Sequence, residues 1–476
     1  MNVSNKIKNR AILFVFLCTL LAGSGCEKLI DAAPARNTLN SENVFQDSIT
    51  MSAAMIGVYS YTYSGNSATG SFLSNSVNSL LGLSADEMYY FPSKTYDAFL
   101  NNALLPTELP LSTAWTQLYK MINMANGEIE GVEGSTAPFV SADLKSRLVG
   151  ESKFIRALCH FYLVNMFGNI PVITTTNVAV TGSLGQSTEG EVYEQIIKDL
   201  TEAAAVLPID YLLYSNERIR ATKWAALALL ARVYLYKKDY IKAAETASKV
   251  IANKDLFNIS PLDQVFLKNS SEAIFQFSTS ANTSTQAGTI FIPSATATTP
   301  NFVLRPELMS SFEPNDQRPL KWTKSIIYNG TAYPYPYKYK TRGSGNAITE
   351  YDMVLRISEQ YLIRAEAYAQ INNLSGAMAD LKVVRERAGL MVSPFGGQTE
   401  ILAAIERENR VEFFSEWGHR WLDLKRASGF TNPNLTRADE VLGPLKGNFW
   451  QSEDINYPLP QAAINTNTNL IQNKGY

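Results

Sequence analysis

Histidine is nearly absent: His160 and His419 are the only two in 476 residues. Catalysis that pairs a serine or cysteine nucleophile with an imidazole base therefore has little to work with. The chain carries no Gly-x-Ser-x-Gly elbow, no phosphate loop and no His-Glu-x-x-His helix. Cysteine is equally scarce. Cys18 and Cys26 lie near the N-terminus, and Cys159 alone remains for the body, so it has no partner for a disulfide there. A chain of this length buries enough core to stand without one. An excess of one charge is missing too. Lys and Arg number 42 against 44 Asp and Glu, for a net charge of −2 and no basic stripe. That balance argues against nucleic acid as a partner. His160 has only the adjacent Cys159 beside it, and neighbours on a helix point to different faces, so no metal site and no cofactor is expected.

What is present is a soluble composition, 46% hydrophobic with a mean hydropathy of −0.10, and one dense stretch at residues 407–426. It reads Arg-Glu-Asn-Arg-Val-Glu-Phe-Phe-Ser-Glu-Trp-Gly-His-Arg-Trp-Leu-Asp-Leu-Lys-Arg. Ile401, Leu402 and Ile405 lead it in as a helix, and Gly418 is the expected stop, since glycine takes the left-handed conformation of a helix end. Glu406 and Arg410 stand four apart and attract; Glu408 and Glu412 stand four apart and repel. Two readings remain open: a solvated helix face, or a partly buried ion network completed by Arg385 and Arg387.

Glu412, Phe413, Glu416, Gly418, Arg420, Trp421, Asp423, Leu424 and Arg426 together resemble the C-terminal signature of the SusD/RagB family, outer-membrane nutrient-binding lipoproteins. Further motifs agree. Cys26, Leu29, Asp31 and Pro34 resemble the family's Cys-x-x-Leu-x-Asp-x-x-Pro. Phe167-Gly168-Asn169-Ile170-Pro171 resembles its Gly-x-x-Pro helix exit, and Arg385-x-Arg387-Ala388-Gly389-Leu390 its Arg-x-Arg-Ala-Gly-Leu. The C-terminus resembles the family's Gln-Asn-Pro-Gly-Tyr, with Lys474 in place of proline.

Residues 1–25 read as an export signal. Lys6, Lys8 and Arg10 precede an apolar run at 11–22 that falls short of the ~20 residues a membrane helix needs. Gly23, Ser24 and Gly25 then lead to Cys26, which resembles a lipoprotein box with Cys26 as the lipidated residue; Gly23 stands where leucine is usual. Residues 26–476 are expected to form one body: an N-terminal helical half with ligand loops (26–252), a loop and β insertion (253–345), and a C-terminal helical part (346–476).

Helical periodicity runs through 113–132, 144–167, 189–207, 222–236 and 239–251, then 354–371 and 375–388. Thr188 and Glu191 form a capping box. Ala231-x-x-Tyr234 with Tyr240-x-x-Ala243-x-x-x-Ala247 returns as Ala365-x-x-Tyr368 with Leu374-x-x-Ala377-x-x-x-Leu381. Small residues where helices cross, with aromatics near the turn, are the logic of tetratricopeptide-like pairs. The predicted fold is therefore mainly α: tetratricopeptide-like helix pairs packed with a loop-rich lobe holding a few short strands. Residues 61–80 and 434–448 read as loop, and 321–327 as a strand bearing Trp322.

Binding candidates come from composition and position. Residues 84–105 hold Asp86, Tyr89, Tyr90, Tyr96 and Asn101 in a segment without a clean period. Flat aromatic rings stack on sugars while Asp and Asn bond their hydroxyls. The alternative is that these rings pin the loop to the body. Phe291 and Phe302, in and beside the long Ser/Thr/Ala-rich stretch 279–300, and Trp322 complete the candidate set. Tyr333, Tyr335, Tyr337 and Tyr339 alternate, which makes either a stacking face or a rib laid on the body. Carboxylates are plentiful, but no pair is singled out for glycoside hydrolysis.

The resemblance implies a lipid-anchored protein on the extracellular side of the outer membrane. It implies capture of an oligosaccharide and delivery to a SusC-like TonB-dependent barrel, by binding and release and not as an enzyme. A peptide receptor of the RagB type, a surface glycoside hydrolase and a scaffold for proteins are the alternatives.

Overall fold

A computed structural model describes residues 44–62, 72–279, 283–294, 298–345, 347–391 and 396–476. The export signal and Cys26 lie outside the described residues. Twelve longer helices are labelled here in chain order: α1 (Ser48–Ser60), α2 (Val77–Ser84), α3 (Leu109–Glu133), α4 (Ala142–Phe167), α5 (Glu189–Val206), α6 (Lys223–Tyr236), α7 (Tyr240–Ile251), α8 (Ile357–Gln370), α9 (Leu374–Arg387), α10 (Gln398–Phe413), α11 (His419–Arg426) and α12 (Arg437–Lys446). None of them is long and apolar enough to cross a membrane.

The helices stack in sequence. α3 packs on α4, α4 on α5, α5 on α6, α6 on α7, α8 on α9 and α9 on α10. Helix α4 is the axis of this pile. Phe154, Ile155, Leu158, Phe161 and Tyr162 are all buried because α3 and α5 cover it from two sides. Each such side chain is worth about 1.5–3 kcal/mol of burial. Cys159 and Trp115 belong to this same core.

The internal echo is structural. α7 packs against α8, so the two repeated hairpins lie side by side although the insertion separates them in sequence. Their turns share one geometry. Lys238 (φ 60°) and Asn372 (φ 62°) are left-handed. Asp239 and Asn373 then cap α7 and α9 with their side chains, at ψ 71° in both. The amide N–H groups of Asp239 and Asn373 donate to the carbonyls of Tyr234 and Tyr368.

Among the described residues, six short strands form three antiparallel ribbons: β1 (Met88–Tyr90) with β3 (Phe302–Leu304), β2 (Ala273–Phe277) with β6 (Asp352–Arg356), and β4 (Thr323–Tyr328) with β5 (Thr331–Pro336). Isolated two-stranded ribbons are marginal, and each here leans on something. β2 and β6 are buried along their whole lengths. β5 packs on β3, which brings the first and third ribbons together.

Several expectations are corrected. Residues 354–356 belong to strand β6 and α8 starts at Ile357, because a short apolar run does not declare its period. Residues 77–80, within the stretch read as loop, are the start of helix α2. Residues 437–446 are α12, capped by Thr436 and Asp439, with Pro444 accommodated in its last turn. Trp322 ends a short helix, Arg318–Trp322, and β4 begins after it. Finally, α10 stops at Phe413, five residues before Gly418. Ser415 (φ 58°), Trp417 (φ 49°) and Gly418 (φ 68°) all turn left-handed. Gly418 opens α11 and lies so close to Leu81 that a Cβ there would meet Leu81 Cδ1 at 2.2 Å.

Candidate functional site

The charge block of residues 406–416 builds a buried ion cluster and not a solvated face. Glu408 and Glu412, which repel as a pair, are both held by Arg318: Nη1 lies 2.6 Å from Glu408 Oε1 and 3.0 Å from Glu412 Oε2. Glu412 also takes Arg356 at 2.5 Å and Arg387. Three guanidinium groups hold its carboxyl well below the usual range despite burial. Arg385 bridges Glu313 and Glu408. Arg385 and Arg387 thus complete the network, as one reading of the sequence required. Arg318 and Arg356 are additional members, from the insertion and its border. Lys338 donates to the Glu412 carbonyl at 2.7 Å and pairs with Glu416; burial lowers its ammonium pKa to about 8. Lys338 and Tyr339 are buried and Tyr335 with them, so these tyrosines form a rib on the body, while Tyr333 and Tyr337 stay half-buried.

The candidate binding residues separate into two groups. Asp86 is 2% exposed and belongs to the ion system, paired with Arg420 at 2.8 Å and Arg410 at 2.8 Å. Trp322 is fully buried, and its Nε1–H donates to the Leu262 carbonyl at 2.8 Å. Phe291 and Phe302 are 3% and 4% exposed. All four side chains are enclosed by protein.

Tyr89, Tyr90, Tyr96 and Asn101 are half-buried and remain available. Strand β1 carries two of them. Alternation sends Tyr90 to one side, where its ring meets Tyr96 edge-on at 4.9 Å and Phe302 at 5.2 Å. Phe291 backs Phe302 at 5.7 Å. Phe91 lies against the β4–β5 hairpin, 4.7 Å from Tyr333 and 5.8 Å from Tyr328. Burial, with Tyr333 beside it, raises the Tyr89 hydroxyl pKa; burial, with Tyr90 beside it, raises that of Tyr96. Both hydroxyls stay protonated and donate. Two partly exposed aromatic patches result: Tyr90 and Tyr96 on a floor of buried Phe302 and Phe291 on one side of β1, and Phe91 with Tyr328 and Tyr333, beside Tyr89, on the other.

Phe91, Tyr328 and Tyr333 as a group were missed in the sequence. The signal was there: Asn329-Gly330 between alternating apolar residues is a tight hairpin turn. The structure has both residues at positive φ, 48° and 78°, with Tyr328 facing Thr331.

Several clefts lie away from these rings. One, of about 430 Å³, opens between α7, α8, α10 and the segment after α11. Another, of about 530 Å³, lies beside Asp86, Arg410 and Phe312. His160 is buried, and burial beside Arg156 pushes its imidazole pKa down to about 3, so it is neutral. Among the described residues no group of His, Cys, Asp or Glu is set to hold a metal.

Comparison with known proteins fits this architecture. Residues 33–235 match a family model described as SusD-like, starch-binding associating with outer membrane, and residues 318–476 match the model of the SusD family. A SusD-like protein of Formosa agariphila is 27% identical over 77% of this chain and 81% of its own. The chain spans less than half the length of two other curated SusD-like relatives it matches, 46% and 41%. Among solved structures, a SusD superfamily protein from Bacteroides vulgatus superposes with a TM-score of 0.77 at 18% identity, over 90% of this chain and 99% of its own. A laminarin-binding SusD-like protein superposes with a TM-score of 0.72 at 25% identity, over 90% of this chain and 99% of its own. The C-terminal signature, the helix stack and both family models agree, and this chain belongs to the SusD/RagB family.

Proposed function

We propose that this protein is a cell-surface glycan-binding lipoprotein that captures an oligosaccharide and delivers it to a SusC-like TonB-dependent outer-membrane transporter. The observation that carries the reading is the aromatic face of Tyr90 and Tyr96, with Tyr89 half-buried on the opposite side of β1. Rings held edge-to-face present flat apolar surface and protonated hydroxyls together, which suits the alternating C–H and O–H faces of a sugar chain. The laminarin-binding relative supports a glucan as cargo. Cys26 is the proposed lipid attachment, anchoring the body to the outer face of the outer membrane. Stable anchoring needs more than one acyl chain. The mechanism is binding and release, with no bond broken.

Native-gel electrophoresis of the body without its first 26 residues, in gels containing laminarin or starch, tests this, with the same mixtures assayed for cleavage products. Retardation without products is the expected result. Products would make the protein a glycoside hydrolase. Free migration in both glucans and in other plant and algal polysaccharides would overturn the glycan reading in favour of a peptide cargo.

A further inference from the structure

The cleft between the two repeat hairpins and helix α10 has no part in the aromatic face: none of Tyr89, Tyr90 or Tyr96 lines it. Its volume, about 430 Å³, falls in the range of small-molecule sites, roughly 300–1,000 Å³. The walls are built from the same hairpins that repeat in the sequence. Tyr240 begins α7, Gln370 ends α8, Asn409 comes from α10, and Phe430 closes the cleft from the segment beyond α11.

The guanidinium groups in these walls are already spent on neighbouring carboxylates, while Lys238 stands exposed at the rim. Arg426 is held by Glu366 at 2.5 Å and Asp423 at 2.7 Å. Arg437 is held by Glu406 and Glu440, both at 2.8 Å. Arg420 is held by Asp86 at 2.8 Å and Glu406 at 3.0 Å. A charged ligand would find these three guanidinium groups and their carboxylates mutually compensated, and prying a compensated pair apart is costly. The amides differ. Asn409 is half-buried and its side chain makes no hydrogen bond among the described residues. Gln398 spends its N–H on the Ala369 carbonyl at 2.8 Å, which leaves its amide oxygen to accept. Carboxylates also keep spare lone pairs after binding one guanidinium. Two half-buried rings complete the lining. Phe430 is fixed by the Arg437 guanidinium 4.9 Å from its centroid. Tyr240 keeps its proton because burial and the Glu366 carboxylate raise its pKa.

We propose that this cleft is a second ligand site, built for a short neutral saccharide of one or two sugar units. Paired amide donors and acceptors, spare carboxylate lone pairs and two rigid rings recognise a compact polyol, and no unmatched guanidinium is offered to an acid. The aromatic face, being open, suits a long chain; the cleft, being bounded on four sides by helices and a loop, suits a chain end or a free sugar.

Isothermal titration of the body with laminaribiose, maltose and glucose, paired with saturation-transfer NMR, tests the proposal. Asn409→Ala is expected to weaken binding of the best of these sugars about tenfold, and Asn409→Trp, which fills the cleft, to abolish it. Tyr90→Ala, which removes a ring of the aromatic face, is expected to leave the Asn409-dependent part of that binding unchanged. Circular dichroism and thermal melting of each variant separate lost binding from lost fold. Binding by none of the three sugars overturns the proposal, as does binding that survives Asn409→Trp in a folded variant. Binding lost only in Tyr90→Ala would place the sugar on the aromatic face; the second site then fails while the glycan reading stands. Retardation in polysaccharide gels is read separately, so failure of that reading is distinguishable too.

Discussion

Arg420 grips Asp86 with two prongs, Nε to Oδ1 at 2.8 Å and Nη2 to Oδ2 at 3.0 Å, across 334 positions of sequence. The pair is buried at both ends, and it ties the loop before β1 to helix α11. Asp86 is therefore a fastener beneath the aromatic strand. Asp86→Asn leaves Arg420 and Arg410 facing an uncharged amide, and removal of one partner from a buried pair costs about 3–5 kcal/mol. Urea unfolding is expected to show that loss. Unchanged stability with weakened glycan retardation would return Asp86 to the ligand site.

Burial decides what an ion pair is worth. Glu412 is inaccessible and serves Arg318, Arg356 and Arg387 together. Glu386 meets Lys382 at 3.4 Å with both side chains more than half exposed, at 58% and 57%. Glu412→Gln takes one carboxylate from three buried guanidinium groups, each of which keeps another partner, and is expected to cost about 3–5 kcal/mol. Glu386→Gln is expected to stay within about 0.5 kcal/mol. Denaturant midpoints of the two variants, measured side by side, check the contrast.

The helices were legible because their signals are local. Thr188 and Glu191 form both halves of a capping box, and the stripe of Trp115, Leu118, Ile122, Ala125 and Ile129 is buried as its spacing requires. The ion cluster was half legible: Arg385 and Arg387 lie 23 and 25 positions from Glu408 and Glu412, whereas Arg318 and Arg356 are brought in by tertiary folding over 94 and 56 positions to Glu412. The aromatic face was least legible. Tyr89, Tyr90 and Trp322 look alike in composition, yet Trp322 is sealed under Lys338, whose ammonium lies 4.8 Å above its ring, and the tyrosines are not. Exposure of an aromatic residue follows from which element covers it, and that is a long-range fact.

Two carboxyl groups give the stability a pH signature. Burial raises Glu87 to about 8, with the neighbouring Asp86 charge adding to it. Burial also raises Glu128 to about 8, helped by Glu151. Each has one carboxyl oxygen without a hydrogen-bond partner. Both are neutral in the fold at pH 7 and ionised in the unfolded chain, whose glutamates titrate near 4.5. Between those values the native state holds more protons, so stability falls as pH rises. The contribution is complete below pH about 4.5 and gone above about 8. Glu87→Gln with Glu128→Gln keeps the neutral shape without the proton, and Ser415 N–H, 3.2 Å from Glu87 Oε2, still finds an acceptor. The double variant is expected to gain stability relative to the wild type as pH goes from 5 to 9. Urea unfolding at pH 5, 7 and 9 measures it, and parallel curves would overturn it.

The aromatic face allows stability and binding to be separated ring by ring. Tyr90 and Tyr96 are half-buried and touch at 4.9 Å, whereas Phe302 beneath them is buried. Truncating a buried phenylalanine leaves a cavity and costs about 3–5 kcal/mol. Phe302→Ala is therefore expected to lower the melting temperature and to disturb binding only through the collapse of its support. Tyr96→Ala removes an exposed ring edge and hydroxyl, with little core volume lost. It is expected to leave melting nearly unchanged while weakening glycan retention about tenfold, equivalent to about 1.4 kcal/mol. Affinity electrophoresis and thermal melting on the same preparations give both numbers. If Tyr96→Ala, Tyr90→Ala and Tyr89→Ala all melt like the wild type and are all retained like it, the rings pin the loop and the sugar binds elsewhere. If binding falls in proportion to exposure lost, with Tyr89 and Tyr96 ahead of Phe302, the face that β1 presents is the surface that holds the glycan.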